Sequence, residues 1–444
     1  MRIVVRTGAA VAALAVGLGA WTPYAVAEPV DLGGRPVDGS TDSAQPAPLG
    51  AGLWTVMLGP ESQAQFFTYE RQIEDSTIHV GAMGAPAGPD GDGLELAATV
   101  AATEGTDPVD CGTDTVSTDS SAPYGLIGGH VIVGDEEDSS TTTPCRAAGT
   151  VDIKLTRYSG ANSGDLPVAV KVVEEAPVSD PGAPPPESEE LDYVVPERAD
   201  PASTPAGASS LDDAPAVDAH DGPVTIDTPI AEGTELLWRV PLEWGDELVA
   251  RVDLPALPAG DAEGLGYPSV YVKVAIIQPS RNVFVLTGED SSYGYYGTPE
   301  RSRLVAATYP LRYTNRYSSD VDPVLPGDHW VSVTVAAAPE GEEPLDVPME
   351  LTLEATRTDA LAPTYKDAVL AQGGGAGPDG YSPATPYLVG DGEFSAVASG
   401  NPFTDGEADD EWWGPRRGVG LGVGVVSLAC CAVGAVWLTR RRAR

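Results

Sequence analysis

The feature that most limits this chain is its last apolar run, Val419 to Leu438. The run is about 20 residues long and carries no charge, enough for a helix to cross a bilayer. Arg440, Arg441, Arg442 and Arg444 follow at once, and arginine gathered on one flank marks the cytoplasmic side. The expectation is an extracytoplasmic body held by one transmembrane helix (419–438), with a basic cytoplasmic tail (439–444). Trp412 and Trp413 stand before the run, where amphipathic rings favour the headgroup layer. The anchor resembles the end of a sortase signal, but no LPxTG-like pentapeptide precedes it, which argues against covalent attachment to a wall.

The N-terminus supports the same topology. Arg2 and Arg6 form a basic start, Ala9 to Ala20 is a short apolar run, and Ala25-Val26-Ala27 is a small-x-small cleavage site. Residues 1–27 therefore read as a signal peptide removed near Ala27. The whole chain has 66 acidic and 25 basic residues, a formal charge of −41. Eight of the arginines lie in the signal or after Trp413, so the body sets 17 basic groups against all 66 acidic ones. Such a surface repels nucleic acid and anionic lipid, and no nucleic-acid partner is expected. It also keeps an exported domain in solution.

Between the ends the pattern is that of strands. Leu94 to Val100, Val151 to Leu155, Val168 to Val172, Leu236 to Val240 and Val270 to Ile277 combine β-branched residues with alternation, and Gly, Pro and Asp punctuate them. No window offers an amphipathic helix. Residues 28–43 read as a flexible leader, 44–173 as a first β module, and 174–208 as an acidic Pro-rich linker too poor in apolar residues to order itself. A second β module covers 209–357, and 358–418 reads as a flexible Gly/Pro/Asp stalk. Within the first module, Glu104 to Pro144 reads mainly as a long loop.

The two modules look like copies. Gln65 to Tyr69 matches Leu236 to Val240. Ala148 to Ile153 and Leu166 to Val170 match Pro326 to Val331 and Val347 to Leu351. Glu232-Gly233, Trp238-Arg239-Val240, Trp244-Gly245 and Pro326 to Val333 resemble bacterial pre-peptidase C-terminal-like modules. The phrases Trp238 to Gly245 and Leu311 to Arg316 are also similar to the membrane-proximal ectodomain of actinobacterial von Willebrand factor A domain proteins. The A domain itself is missing, since Asp138-Ser139-Ser140 lies in a polar stretch rather than after an apolar strand. The resemblance implies an all-β chain: two tandem jelly-roll-like β-sandwich modules plus one C-terminal transmembrane helix, in an accessory role.

Cys111 and Cys145 form an even pair in an exported domain and are expected to be bonded. Cys430 and Cys431 fall inside the apolar run. His79, His130, His220 and His329 show no metal-ligand spacing, and no nucleophile elbow or P-loop is present. Pro89 to Gly93 places Asp90 and Asp92 where they offer oxygen ligands of the kind Ca²⁺ takes. A plain Gly/Asp turn has the same sequence, and the EF-hand continuation is missing. No other cofactor is expected.

One zone is basic and aromatic. Tyr293, Tyr295, Tyr296, Tyr309, Tyr313 and Tyr317 lie among Arg301, Arg303, Arg312 and Arg316. Tyr and Arg anchor many interfaces, so Tyr293, Tyr295, Tyr296, Arg312 and Arg316 are the candidate ligand contacts. The same residues would also serve as packing within a sandwich. The functional expectation is a non-catalytic cell-envelope binding or scaffold protein, with the membrane and an envelope protein or glycan as partners. The alternatives are a surface-anchored hydrolase with an unrecognised site, or a passive spacer.

Overall fold

The computed structural model describes residues 30–400, except 60–62, 87–90, 102–106, 119–124, 135–142, 160–163, 185–190, 202–204, 259–268, 287, 289, 319–320, 340, 360 and 368–378. The expected signal peptide, membrane span and basic tail lie outside the described residues. No helix among those described is long and apolar enough to cross a membrane.

The chain is all-β. Two short strands, β1 (Arg35–Pro36) and β2 (Ala47–Pro48), precede eight longer ones: β3 (Gly52–Leu58), β4 (Ala64–Glu70), β5 (Thr77–Gly84), β6 (Gly93–Val100), β7 (Val109–Ser117), β8 (Ile127–Val133), β9 (Thr150–Ser159) and β10 (Leu166–Glu175). One sheet runs β1-β3-β10-β5-β8 and the other β2-β4-β9-β6-β7. Their facing sides enclose Phe67, Ile78, Leu96, Ile153 and Val170. This is a β-sandwich built by residues alternating inward along each strand.

After β11 (Val178–Asp180), a second sandwich follows: β12 (Val224–Ala231), β13 (Glu235–Leu242), β14 (Asp246–Leu254), β15 (Val270–Ile277), β16 (Val283–Phe284), β17 (Tyr293–Tyr296), β18 (Ser302–Ala307), β19 (Gly327–Val335) and β20 (Asp346–Arg357). Its sheets run β12-β20-β14-β18 and β13-β19-β15-β17, with β16 pairing the end of β15. Trp238, Val272, Val331 and Leu351 lie at its centre. The two strand orders correspond position by position, so the segments paired as copies in the sequence hold equivalent places: β4 with β13, β9 with β19 and β10 with β20.

The sandwiches pack face to face. Met83 and Ala169, on the outer side of one sheet, meet Leu237, Ile277 and Trp330 on the outer side of another. This seam explains why every residue of β5 and of β19 is buried. A strand covered on both faces loses the alternation of a half-exposed one. Backbone meets backbone there, since a Cβ on Gly81 would lie 1.6 Å from the Ser280 carbonyl oxygen. Ser280 belongs to the tight turn between β15 and β16, which closes through an Arg281 N–H to Gln278 carbonyl bond of 2.8 Å.

Four expectations need correction. Residues 28–43 are not a free leader, because Val30 and Leu32 are buried in the seam and β1 pairs β3. The stretch 104–144 supplies β7, whose Asp110, Thr113 and Thr115 face outward from an edge strand and hide its pattern. The linker is docked: Leu191, Tyr193 and Val195 pack on Val249, Val305 and Ala307 of the second sandwich. The Arg251 guanidinium donates to the Pro196 carbonyl at 2.9 Å. Part of the stalk also folds back. β21 (Thr364–Tyr365) pairs β11, and the hairpin of β22 (Tyr387–Gly390) and β23 (Glu393–Ser395) extends the first sandwich's sheet at Glu174 and Glu175.

Candidate functional site

The tyrosine and arginine zone divides into an exposed face and a buried hub. In β15, Val270, Val272, Val274 and Ile276 point into the core, which turns Tyr271 and Lys273 to the opposite side. β17 pairs β15 with Tyr271 opposite Tyr295 and Lys273 opposite Tyr293. Tyr293 and Tyr295 are 51% and 42% exposed, while Tyr271 behind them is buried. The Tyr271 and Tyr293 rings stack at 5.6 Å and 24°, and Tyr295 meets Tyr271 edge-on at 5.7 Å and 70°. Tyr296 points the other way and packs against the core of the sandwich.

Arg316 does not join that face. It sits in the 3-10 turn Tyr313–Tyr317, buried, with its guanidinium 3.6 Å from the centre of the Tyr313 ring. Its Nη1 donates to Glu175 Oε2 at 2.5 Å. His79 Nε2 lies 2.9 Å from the same oxygen, and the Tyr365 hydroxyl donates to Oε1 at 2.7 Å. One carboxylate thus joins β5, β10, the second sandwich and the returning tail. Burial pushes the Glu175 carboxyl up, but Arg316 and His79 outweigh it and hold it near 2. Burial lowers His79 to about 4 against the opposing pull of Glu175. Arg316 is therefore a structural cation, because a guanidinium this deep must be paired. Arg312 is half-buried and donates to the Pro184 carbonyl at 3.1 Å.

Neighbouring Glu174 does the same work inside the first sandwich. Its oxygens accept from the Tyr69 hydroxyl at 2.6 Å, the Ser76 hydroxyl at 2.6 Å and the Ile73 N–H at 2.7 Å. Both glutamates fall in the segment read as linker. The available signal was their position at the end of the apolar strand Leu166 to Val173, with no turn residue between.

Asp92 is buried beneath Arg157, whose Nε donates to its Oδ1 at 2.6 Å. That ion pair occupies the carboxylate and accounts for it without Ca²⁺. Asp90 lies outside the described residues. Among the described residues no group of three or more His, Cys, Asp or Glu is arranged to hold a metal. Cys111 and Cys145 are bonded, with Cα atoms 5.7 Å apart, tying β7 to the helix α1 (Thr143–Ala147). A groove of about 470 Å³ lies where the tail hairpin meets the first sandwich, with Leu49, Tyr69, Leu388 and Phe394 in its walls. Its carboxylates, Glu70 and Asp391, are exposed, outside the water-excluded setting that a catalytic acid needs.

No family model matches the chain, and no curated protein matches it. Solved structures similar to parts of it include cowpea mosaic virus top component, at 12% identity over 75% of this chain and 93% of that one, with a TM-score of 0.18. A tandem CBM22-1-CBM22-2 domain from Paenibacillus barcinonensis Xyn10C gives 9% identity over 68% and 85%, TM-score 0.17. The ANX2 ectodomain from Arabidopsis thaliana gives 9% over 67% and 83%, TM-score 0.16.

Proposed function

We propose that this chain is a non-catalytic protein of the cell envelope. In this reading it is exported and held by its C-terminal span on the outer face of the cytoplasmic membrane. Two jelly-roll modules form the body, a reading supported by the strand order that both sandwiches share. The resemblance to accessory modules in membrane-anchored actinobacterial proteins favours a binding role over a chemical one.

The observation that carries the binding role is the exposure of Tyr293 and Tyr295 beside Tyr271. Large rings left in water cost solvation unless a ligand covers them, and tyrosine is a frequent anchor in interfaces. The test uses the full-length protein in a non-glycosidic detergent, immobilised and exposed to solubilised envelope components. Replacing Tyr293 and Tyr295 with Ala is expected to lower specific capture at least about tenfold, since an anchor ring contributes roughly 2 kcal/mol. Unchanged capture rules out this face. Turnover of a glycan or peptide by the wild-type protein rules out the non-catalytic reading.

A further inference from the structure

The tyrosine face borders the polar rim of a small cleft, and the two together define a ligand chemistry. Along β15 the next outward residue after Tyr271 is Lys273, which the register places opposite Tyr293 on one side and Thr334 of β19 on the other. Lys273 and Thr334 line a small cleft of about 20 Å³ at the seam, room for about one water, with Ser117 of the first sandwich exposed at its rim. Glu235 also borders it, with its carboxylate engaged by the Ser332 hydroxyl and the Leu126 N–H. Rings with apolar faces thus stand next to hydroxyls and an ammonium.

We infer that this margin of the sheet is a binding site for a neutral saccharide chain. The inference rests on the binding role proposed above and names its ligand class. Sugar rings present a carbon–hydrogen face that packs on an aromatic ring, with hydroxyls around the edge. Tyr293 and Tyr295 offer two ring faces at different inclinations, already held by contact with Tyr271, so little side-chain freedom is lost on binding. Lys273 and the exposed Ser117, at the rim of the cleft, supply an ammonium donor and a hydroxyl beside the rings.

Charge narrows the class. The cleft holds one cation, Lys273, and one anion, Glu235, so it attracts neither sign strongly. A chain with formal charge −41 repels polyanions at a distance. A folded protein partner would need about 800 Å² of contact on each side, far more than two exposed rings and a narrow cleft provide. A hydroxylated, uncharged chain meets none of these penalties.

Calorimetric titration of the full-length protein in a non-glycosidic detergent tests the assignment. The probes are β-1,4-linked gluco-, xylo- and mannohexaose, an α-1,4-glucan oligosaccharide, and polygalacturonate as the charged comparison. At least one neutral chain is expected to bind. Tyr293→Ala with Tyr295→Ala is expected to weaken it about thirtyfold, and Lys273→Met several-fold. The matching Tyr→Phe changes keep the rings and are expected to hold affinity within about threefold, so they report on stacking even if the Ala variant folds poorly. Three results would overturn the inference: no neutral chain bound at millimolar concentration, binding that survives both Ala and Met changes in folded protein, or tighter binding of polygalacturonate. If saccharides fail but an envelope protein is captured through the same tyrosines, the binding role stands and the saccharide assignment falls.

Discussion

Glu175 carries more of the tertiary structure than any other side chain described above. Its two oxygens receive Arg316, His79 and Tyr365, and the Tyr387 hydroxyl adds a longer bond of 3.2 Å. Replacing it with Gln leaves the Arg316 guanidinium buried without a counter-ion. The expected loss is about 3–5 kcal/mol in urea unfolding, and a loss below about 1 kcal/mol would show that the hub is incidental. Two histidines give a pH signature. Burial lowers His79 to about 4 and His329 to about 4, in each case against an opposing hydrogen bond. The unfolded value is near 6.5, so between roughly pH 6.5 and 4 the unfolded chain binds protons that the folded chain refuses. Stability from these two groups is therefore present above about pH 6.5 and lost as the pH falls toward 4. Glu175 adds its own loss only further down, from its unfolded value near 4.3 through its folded value of about 2. Imidazole NMR signals of His79 and His329 should stay at their neutral positions down to about pH 5. A midpoint near 6.5 for either would contradict its burial.

Among the elements, the pairing of β5 with the turn between β15 and β16 decides whether the sandwiches can join. Gly81 and Gly128 are smooth points on the first sandwich, where a Cβ would meet the Ser280 and Arg281 carbonyl oxygens at 1.6 and 2.3 Å. Arg281 itself has φ +75°, a left-handed conformation that a bulky residue keeps only when its surroundings compensate. Its guanidinium lies 4.5 Å from the centre of the Trp330 ring, which supplies part of that compensation. Gly81→Ala should lower stability by about 3 kcal/mol or more, because backbone cannot retreat as a side chain can. Gly164, with open space around its Cβ position, is the control and should tolerate Ala within about 0.5 kcal/mol. Equal melting temperatures for the two variants would refute the close approach.

For the molecule as a whole, the seam and the hub make separate unfolding of the two sandwiches costly. Melting one would strip cover from Met83, Ala169, Leu237 and Trp330 and strand either Glu175 or Arg316. Scanning calorimetry should therefore show one cooperative transition for the body. Glu175→Gln should broaden or divide it, because it weakens the coupling more than either core. Two well-separated transitions in the wild-type protein would mean that the sandwiches are independent beads.

The sequence by itself marked most of the long core strands and which of them were counterparts, though β7 and the short strands of the linker and stalk escaped it. Alternation in stretches such as Leu94 to Val100 and Val270 to Ile277 is a local property, and a half-buried strand prints it directly. It also marked Cys111 and Cys145 as partners, and Tyr293 and Tyr295 as members of an aromatic zone. Tertiary structure alone decided what covered the outer faces. Nothing local distinguishes Arg316, sealed against Glu175 from 141 residues earlier, from an arginine in water. Nothing in the Pro-rich segment around Leu191 to Pro196 or in the stretch from Tyr387 to Ser395 announces that each docks on a sheet. Their few apolar residues suffice because the receiving surface is already built, so ordering them costs only their own entropy. Composition reports whether a segment can make a core. It does not report whether the segment can borrow one.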